Sequence, residues 1–131
     1  MNLNEVVLVS VFTIPISPVT KKNSQRIITR GNKPRILPSK KYQLYEEQAL
    51  WYVPKRGVPI RDPVNVKCLF YMPTKRRCDL TNLLEAIDDI LVKAGILEDD
   101  NYTVLASHDG SRVFVDRENP RTEVVITLFK E

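Results

Sequence analysis

The sequence has few of the residues that cross-link small domains or hold structural metals. Its 131 residues include two cysteines, Cys68 and Cys78, and one histidine, His108. Two cysteines ten positions apart do not make a disulfide framework, and these three residues are too few for a four-ligand structural zinc site. This composition favours a protein of a reducing cytosol.

Long apolar segments are also missing. The apolar run at 6–11 is short and mixed, and no basic residue precedes it, so we predict neither a signal peptide nor a membrane-spanning helix, and no membrane partner. With 43% hydrophobic and 27% charged residues, the chain has the composition of a folded protein rather than a disordered one. Because one core serves this length and no linker or repeat divides it, we expect a single domain over residues 1–131.

Charge is distributed unevenly along the chain. Residues 1–78 carry 15 Lys or Arg and 4 Asp or Glu, a balance of +11, whereas residues 79–131 carry 5 and 12, a balance of −7. A basic segment suits a polyanion such as nucleic acid, which is bound by neutralising its phosphates. The alternative is that charges of both signs only solvate the surface. The sharp change of sign at Asp79 favours the nucleic-acid interpretation.

Hydrophobic periodicity and turn residues predict an α+β fold. The predicted elements are a strand at 6–14, a basic hairpin turning at Gly31 and Asn32, a helix from Ser39 to about 52, a strand at 64–71, a helix at 79–94, and closing strands at 102–107 and 123–129. After the first strand the order is therefore hairpin, helix, strand, helix, strand, strand. We predict a mixed β-sheet with two helices on one face, in which the last two strands form a hairpin.

The helix at 79–94 is the clearest element, and five carboxylates lie at its ends. Its large apolar residues fall within an arc of roughly 120°, as in an amphipathic helix, and Gly95 is positioned to end it. The carboxylates belong to Asp79, Asp88, Asp89, Asp99 and Asp100. Because the helix is about 22 Å long, its first and last carboxylates meet only if the chain folds back after Gly95, for example in a strand antiparallel to the helix.

Carboxylates that converge repel one another unless a cation neutralises them. Ligand sets made only of oxygen favour magnesium or manganese, and such a site activates water for phosphodiester hydrolysis. Two simpler interpretations stand beside this one. Asp79 would serve only as a helix N-cap, and the acidic run at 98–100 would be a solvated turn.

Together with the basic run before them, these residues resemble the core of the RusA family of Holliday-junction resolvases. The family pattern is a basic run, Asp-x-Asp-Asn-Leu, a helix, Ala-Gly, and an Asp-Asp pair beyond the helix. The matching positions in this chain are 75–77, Asp79, Asn82, 94–95 and 99–100, with weaker similarity at 18–24 and 39–42.

The resemblance implies a homodimeric, Mg²⁺-dependent endodeoxyribonuclease, with Mn²⁺ as an alternative ion. The implied partner is branched DNA, a four-way junction recognised by its structure and nicked symmetrically on two strands during recombination and repair. Proteins of this type are common in phages and prophages, so the cytoplasm of a bacterial host is the expected location. Two other functions stay open: a non-catalytic DNA-binding module of the same fold, and a nuclease acting on other branched DNA.

The resemblance also assigns roles to individual residues. Asp79 and Asp100 match the first and last catalytic aspartates and would bind the metal, with Asp99 beside them. Asn82 would orient a ligand carboxylate or the helix start. The basic run that would hold the scissile phosphate consists of Lys75, Arg76 and Arg77, of which the two arginines are assigned a catalytic role.

Two positions depart from the family pattern. Thr81 stands where the second aspartate is expected, and a neutral hydroxyl is a weaker ligand than a carboxylate. Glu85 stands where a lysine is expected. Because Glu85 follows Thr81 by one helical turn, we hypothesise that its carboxylate takes over as a metal ligand beside Thr81.

Other candidate residues lie outside this core. Lys21, Lys22 and Arg26 are candidates for phosphate contacts, because they share a polar segment with no competing structural pattern. Solvated surface charge is the alternative for all three. His108 is interpreted as structural rather than as a general base, and Trp51 and the tyrosines near it are predicted to build the core rather than to stack on bases.

Overall fold

Nine regular elements make up the computed structural model, which describes residues 6–21, 25–31 and 33–129. In chain order they are β1 (Leu8–Ile14), β2 (Gln25–Arg30), β3 (Lys33–Pro38), α1 (Lys40–Tyr52), β4 (Val64–Met72), α2 (Leu80–Lys93), β5 (Leu105–Ser107), β6 (Arg112–Val115) and β7 (Arg121–Leu128). The number of elements refers only to the ranges that the structure describes. Strands and helices of this mixture confirm the predicted α+β class.

The main sheet is mixed, and its order differs from the predicted one. Strand β7 lies between β1 and β4 and is antiparallel to both, while β5 and β6 run parallel to β4 along its other edge. The predicted closing hairpin is wrong, because β5 and β7 pair with opposite edges of β4. Strand β6 lies in what was predicted to be a loop. Four residues are too few to show a clear period, and their partners in β4 are more than forty positions away.

One face of the main sheet forms the core. Alternate residues of β4 (Val64, Val66, Cys68 and Phe70) are buried, and Cys68 lies opposite Val124 of β7, whose alternate residues are buried as well. The buried residues of α1 and α2 belong to the same apolar cluster, and α1 contacts both β1 and α2. The helices therefore cover the buried face, as predicted, and the outward residues of β4 are half-exposed.

Helix α2 has the predicted limits. Asp79 precedes its first turn, and Ala94 is the C-terminal cap. Gly95 has a φ of 78°, in the left-handed region that favours glycine, and the Ile96 N–H donates to the Leu91 carbonyl at 3.0 Å. The helix thus ends in a turn that sends the chain back towards the sheet.

Helix α1 also begins where predicted, because Ser39 Oγ accepts a hydrogen bond from the Tyr42 N–H at 3.1 Å. Tyr42, Tyr45 and Ala49 are buried. The prediction that Trp51 and Tyr52 build the core is wrong, since their side chains are 80% and 43% exposed. Trp51 follows Tyr42 by nine positions, and at about 100° per residue this places Trp51 on the opposite side of the helix.

The predicted basic hairpin is confirmed and stands apart from the main sheet. Strands β2 and β3 form a separate two-stranded sheet, and Gly31 in the turn has a φ of 63°. Among the residues that the structure describes, no helix has the length and apolarity to span a bilayer.

Candidate functional site

Asp79 occupies the N-cap position of α2, yet its carboxylate is turned to another partner. Its carbonyl accepts the N–H groups of Asn82 and Leu83, at 3.1 and 3.2 Å, and so starts the helix. Within the described chain, the carboxylate makes no capping hydrogen bond; Asn82 Nδ2 lies 3.5 Å from Asp79 Oδ2. The side chain is exposed. The capping interpretation thus accounts for the backbone of Asp79 but leaves its carboxylate accessible beside an orienting amide.

The basic run immediately precedes this carboxylate in the connection from β4 to α2. Lys75, Arg76 and Arg77 are all exposed, and the Arg76 N–H donates to Thr74 Oγ1 at 3.4 Å. A phosphate bound by these side chains would lie near Asp79, which follows Arg77 by two residues. Cationic groups next to an oriented carboxylate are what phosphodiester chemistry requires.

Asp99 and Asp100 differ in their surroundings although they are neighbours. Asp99 Oδ1 accepts the Asp100 N–H at 2.7 Å and Asp99 Oδ2 accepts Asn101 Nδ2 at 3.0 Å, so this carboxylate organises a turn. The backbone N–H of Asp100 holds the pKa of Asp99 below its usual range. The hydrogen bond shared with Asp99 and the nearby charge of Asp89 raise the pKa of Asp100. Both carboxylates are exposed, and that of Asp99 accepts the hydrogen bonds of the turn.

After Gly95 the chain folds back only part of the way along α2. The Glu98 N–H donates to the Ile60 carbonyl at 3.0 Å, and Asp100 then borders a cleft of about 340 Å³ that Asp89 also lines. Ten residues of helix, about 15 Å, still separate Asp89 from Asp79. The strand that follows Asp100 is β5, which is three residues long and pairs in parallel with β4.

The five predicted carboxylate and hydroxyl ligands therefore do not converge within one chain. Magnesium–oxygen bonds of about 2.0–2.1 Å require ligand oxygens within a few ångströms of one another. In the described ranges, no group of three or more His, Cys, Asp or Glu is placed to hold an ion. Thr81 and Glu85 are both exposed on α2, between the two ends of the helix.

The candidate phosphate contacts beyond the basic run are described only in part. Lys21 forms an ion pair with Asp89, and its Nζ lies 5.5 Å from the centroid of the Tyr42 ring. Lys22 and the side chain of Arg26 lie outside the described residues. Lys21 is thus partly neutralised rather than simply solvated.

Sequence reasoning missed a half-buried pair formed by His108 and Asp88. His108 Nδ1 lies 2.8 Å from the Val66 carbonyl, which can only accept, so Nδ1 carries a proton. His108 Nε2 lies 2.9 Å from Asp88 Oδ2, and that contact requires a second proton, shared by the pair. The two residues are twenty positions apart, and no local pattern links them. The structural interpretation of His108 agrees with this geometry.

The pKa values of both Asp88 and His108 are raised. Burial raises the pKa of Asp88, although the hydrogen bond to His108 opposes this change. Burial alone would lower the pKa of His108, but the hydrogen bond and charge of Asp88 outweigh it and raise that pKa. Asp88 Oδ1 is buried with no hydrogen-bond partner among the described residues.

We expect the stability of the protein to fall as pH rises above neutrality. A raised histidine pKa gives stability that is fully present below the unfolded value of about 6.5 and is lost as pH rises through the folded value. His108 is the chain's single histidine, so it dominates this range. Urea unfolding in EDTA at pH 6 and pH 8 should show a lower unfolding free energy at pH 8. His108→Gln should flatten the difference; an unchanged pH dependence in that variant would contradict the assignment.

An exposed basic connection leading to an oriented carboxylate, on an α+β fold, is an arrangement suited to binding phosphate groups. A family model described as endodeoxyribonuclease RusA matches residues 15–127, and the chain belongs to that family. A relative, the crossover junction endodeoxyribonuclease RusA of Aquifex aeolicus (strain VF5), is 28% identical over 86 residues. The match covers 64% of this chain and 66% of the relative, just under two thirds of its length. The predicted family is confirmed.

Proposed function

We propose that this protein is a metal-dependent endodeoxyribonuclease that resolves four-way DNA junctions by paired, symmetric nicks. The observation that carries the proposal is the Asp79 carboxylate, which is exposed, hydrogen-bonded to Asn82 and two residues beyond the exposed Arg77. Membership in an endodeoxyribonuclease family supports the hydrolysis of DNA, and the relative's name supports a crossover junction as the substrate.

The donor chemistry of the chain fits a hard divalent cation. Asp79 and Asp100 offer exposed carboxylates that are not committed to helix or turn backbone, and such oxygens suit Mg²⁺ or Mn²⁺. Asp99 is already bonded to its own turn, so we assign it to holding Asp100 in place. When bound, the ion activates water and offsets charge on the departing oxygen. Arg76 and Arg77 hold the scissile phosphate and counter its charge.

The separation of the two carboxylates supports a dimer in which each site combines residues of both protomers. Asp79 and Asp100 lie at opposite ends of α2 in one chain, so a site that held both would combine Asp79 of one protomer with the partner subunit's Asp100. A two-fold axis generates two such composite sites at once. Two sites match the two strands that a symmetric resolution must cut, so the dimer that supplies the ligands also supplies the second nick.

Substrate discrimination provides the test. A labelled four-way junction, a flap and a linear duplex of the same sequences are incubated with the protein in Mg²⁺, Mn²⁺ or EDTA. We expect nicks in the junction with either ion, none in EDTA, and little cutting of the duplex. Equal cutting of the flap would favour a nuclease for other branched DNA. Junction binding without metal-dependent nicks would favour a non-catalytic module.

Glu85 offers a separate prediction. If its carboxylate compensates for Thr81, Glu85→Gln should raise the metal concentration needed for half-maximal nicking by about tenfold, because a ligand or supporting group is lost. Glu47→Gln is the matched control, since Glu47 is an exposed carboxylate on α1. The measurement is the nicking rate of each variant as a function of Mg²⁺ concentration. A Glu85 variant with the metal dependence of the wild type would remove Glu85 from the site.

A further inference from the structure

A groove of about 540 Å³ lies beside the start of α2, and the assigned roles do not explain its shape. It is bounded by the segment after β1, by the first turn of α1, and by the connection from β4 to α2. The last residue of this lining, Cys78, directly precedes Asp79. The groove therefore opens next to the carboxylate that is proposed to act on the phosphate.

The lining of this groove combines apolar, hydroxyl and cationic groups. Apolar surface comes from Pro18, Met72, Pro73 and Cys78, and hydroxyl groups come from Ser17, Thr20 and Thr74. Three exposed cations, those of Lys41, Arg76 and Arg77, belong to the same lining. This combination suits a ligand with a flat, partly polar ring and an attached anion.

The size of the groove limits what can enter. Small-molecule sites have volumes of about 300–1,000 Å³, so a space of this size accepts one nucleotide but not a duplex. A nucleotide has the required chemistry, since its base suits the apolar and hydroxyl groups of the lining and its phosphate suits the three cations. At a branch point, base stacking is already interrupted, so taking one nucleotide out of its stack costs least there.

We propose that the groove holds one unpaired nucleotide of the junction, adjacent to the phosphate that is cut, with Lys41 contacting its phosphate. This inference rests on the proposed function, because it takes branched DNA as the substrate. It assigns a DNA contact to a residue of α1 that is far in sequence from the basic run. The unpaired nucleotide is also a feature that distinguishes a junction from a linear duplex.

Lys41 and its neighbour Lys40 provide a matched pair for the first test. Both are exposed, but only Lys41 lines the groove. Binding to a four-way junction is measured in EDTA over a range of salt concentrations. Lys41→Gln should weaken binding by about fivefold and lower the slope of log affinity against log salt by about one, whereas Lys40→Gln should change both much less. Equal effects of the two variants would overturn the assignment of Lys41.

The second test follows the nucleotide itself. A junction with 2-aminopurine at the exchange point should become more fluorescent when the wild type binds in EDTA, because the base leaves its stack. Ser17→Phe, which fills the groove, should reduce that rise by more than half while arm binding is kept; thermal melting checks its fold. Thr74→Phe, at an exposed position in the lining, is the second variant, and Val58→Phe, exposed elsewhere, is the control.

An unchanged fluorescence rise in both groove variants would overturn the proposal. These tests need no cleavage, so they are separable from the proposed nuclease activity. A protein that passes them but makes no nicks would retain the groove site and lose the nuclease assignment. A protein that nicks junctions with no unstacking signal would retain the nuclease assignment and lose the groove site.

Discussion

Asp79→Asn is expected to abolish nicking of a four-way junction while leaving junction binding intact. The substitution keeps the size of the side chain and removes the charge that would hold the ion, so the rate should fall by at least about a thousandfold. Removing a negative charge next to Arg76 and Arg77 does not weaken affinity for DNA, because phosphate binding depends on net positive charge. Single-turnover nicking in Mg²⁺ and gel-shift binding in EDTA measure the two quantities separately.

Glu47→Gln serves as the control for this change. It removes the same charge from an exposed position on α1, outside the proposed site, and should nick at the rate of the wild type. Loss of both binding and nicking in Asp79→Asn would point to a folding defect. Nicking at the rate of the wild type would show that Asp79 is only the N-cap of α2.

Mixing two inactive variants is expected to restore activity. In a dimer that pairs Asp79→Asn with Asp100→Asn, one composite site receives both substitutions and the other receives neither. Random exchange of protomers makes half of the dimers mixed, and half of the sites in each are intact, so about one quarter of the wild-type nicking should return. The measurement is the nicking rate after the two inactive proteins are exchanged at equal concentrations.

The reverse mixture is the control for composite sites. A chain that carries both substitutions is exchanged with the wild type. Mixed dimers of this kind have one substitution in each composite site and should be inactive. If the sites were contained within single chains, the first mixture would stay inactive and the second would keep one working site in each mixed dimer. The two mixtures thus give opposite results for the two arrangements.

The local features of the fold were predictable because they depend on short-range patterns. The apolar spacing of α2 and the left-handed Gly95 define that helix, and Ser39 marks the start of α1. The sequence motif of the family spans the position at which the charge changes sign. The same residues therefore indicated both the family and helix α2. The hairpin of β2 and β3 follows from its short turn.

What the sequence did not predict depends on contacts between distant residues. Strand β6 becomes a strand only because β4 is beside it, and Trp51 looked like a core residue although helical rotation places it on the opposite side from Tyr42. The position of Asp100 depends on the backbone hydrogen bond from Glu98 to Ile60. These contacts join residues that are too far apart in sequence for a periodic pattern to predict them.

The charge asymmetry is also less simple in space than along the chain. Lys21 of the basic half pairs with Asp89, and Lys93 of the acidic half lies 2.6 Å from Glu46. Opposite charges from the two halves are therefore paired within the fold, and the net balance of each half is unchanged by these two pairs. The basic run from Lys75 to Arg77 is exposed close to Asp79. The local arrangement of charge there bears more directly on the proposed function than the net charge of each half of the chain.

A cruciform extruded from a negatively supercoiled plasmid tests the central claim most directly. A single nick relaxes the plasmid and removes the cruciform, so a linear product requires both strands to be cut by one dimer during one encounter. Composite sites on a two-fold axis predict linear plasmid in Mg²⁺, with little nicked circle and no product in EDTA. Binding without cleavage, or nicked circles alone, would contradict the proposed paired cleavage.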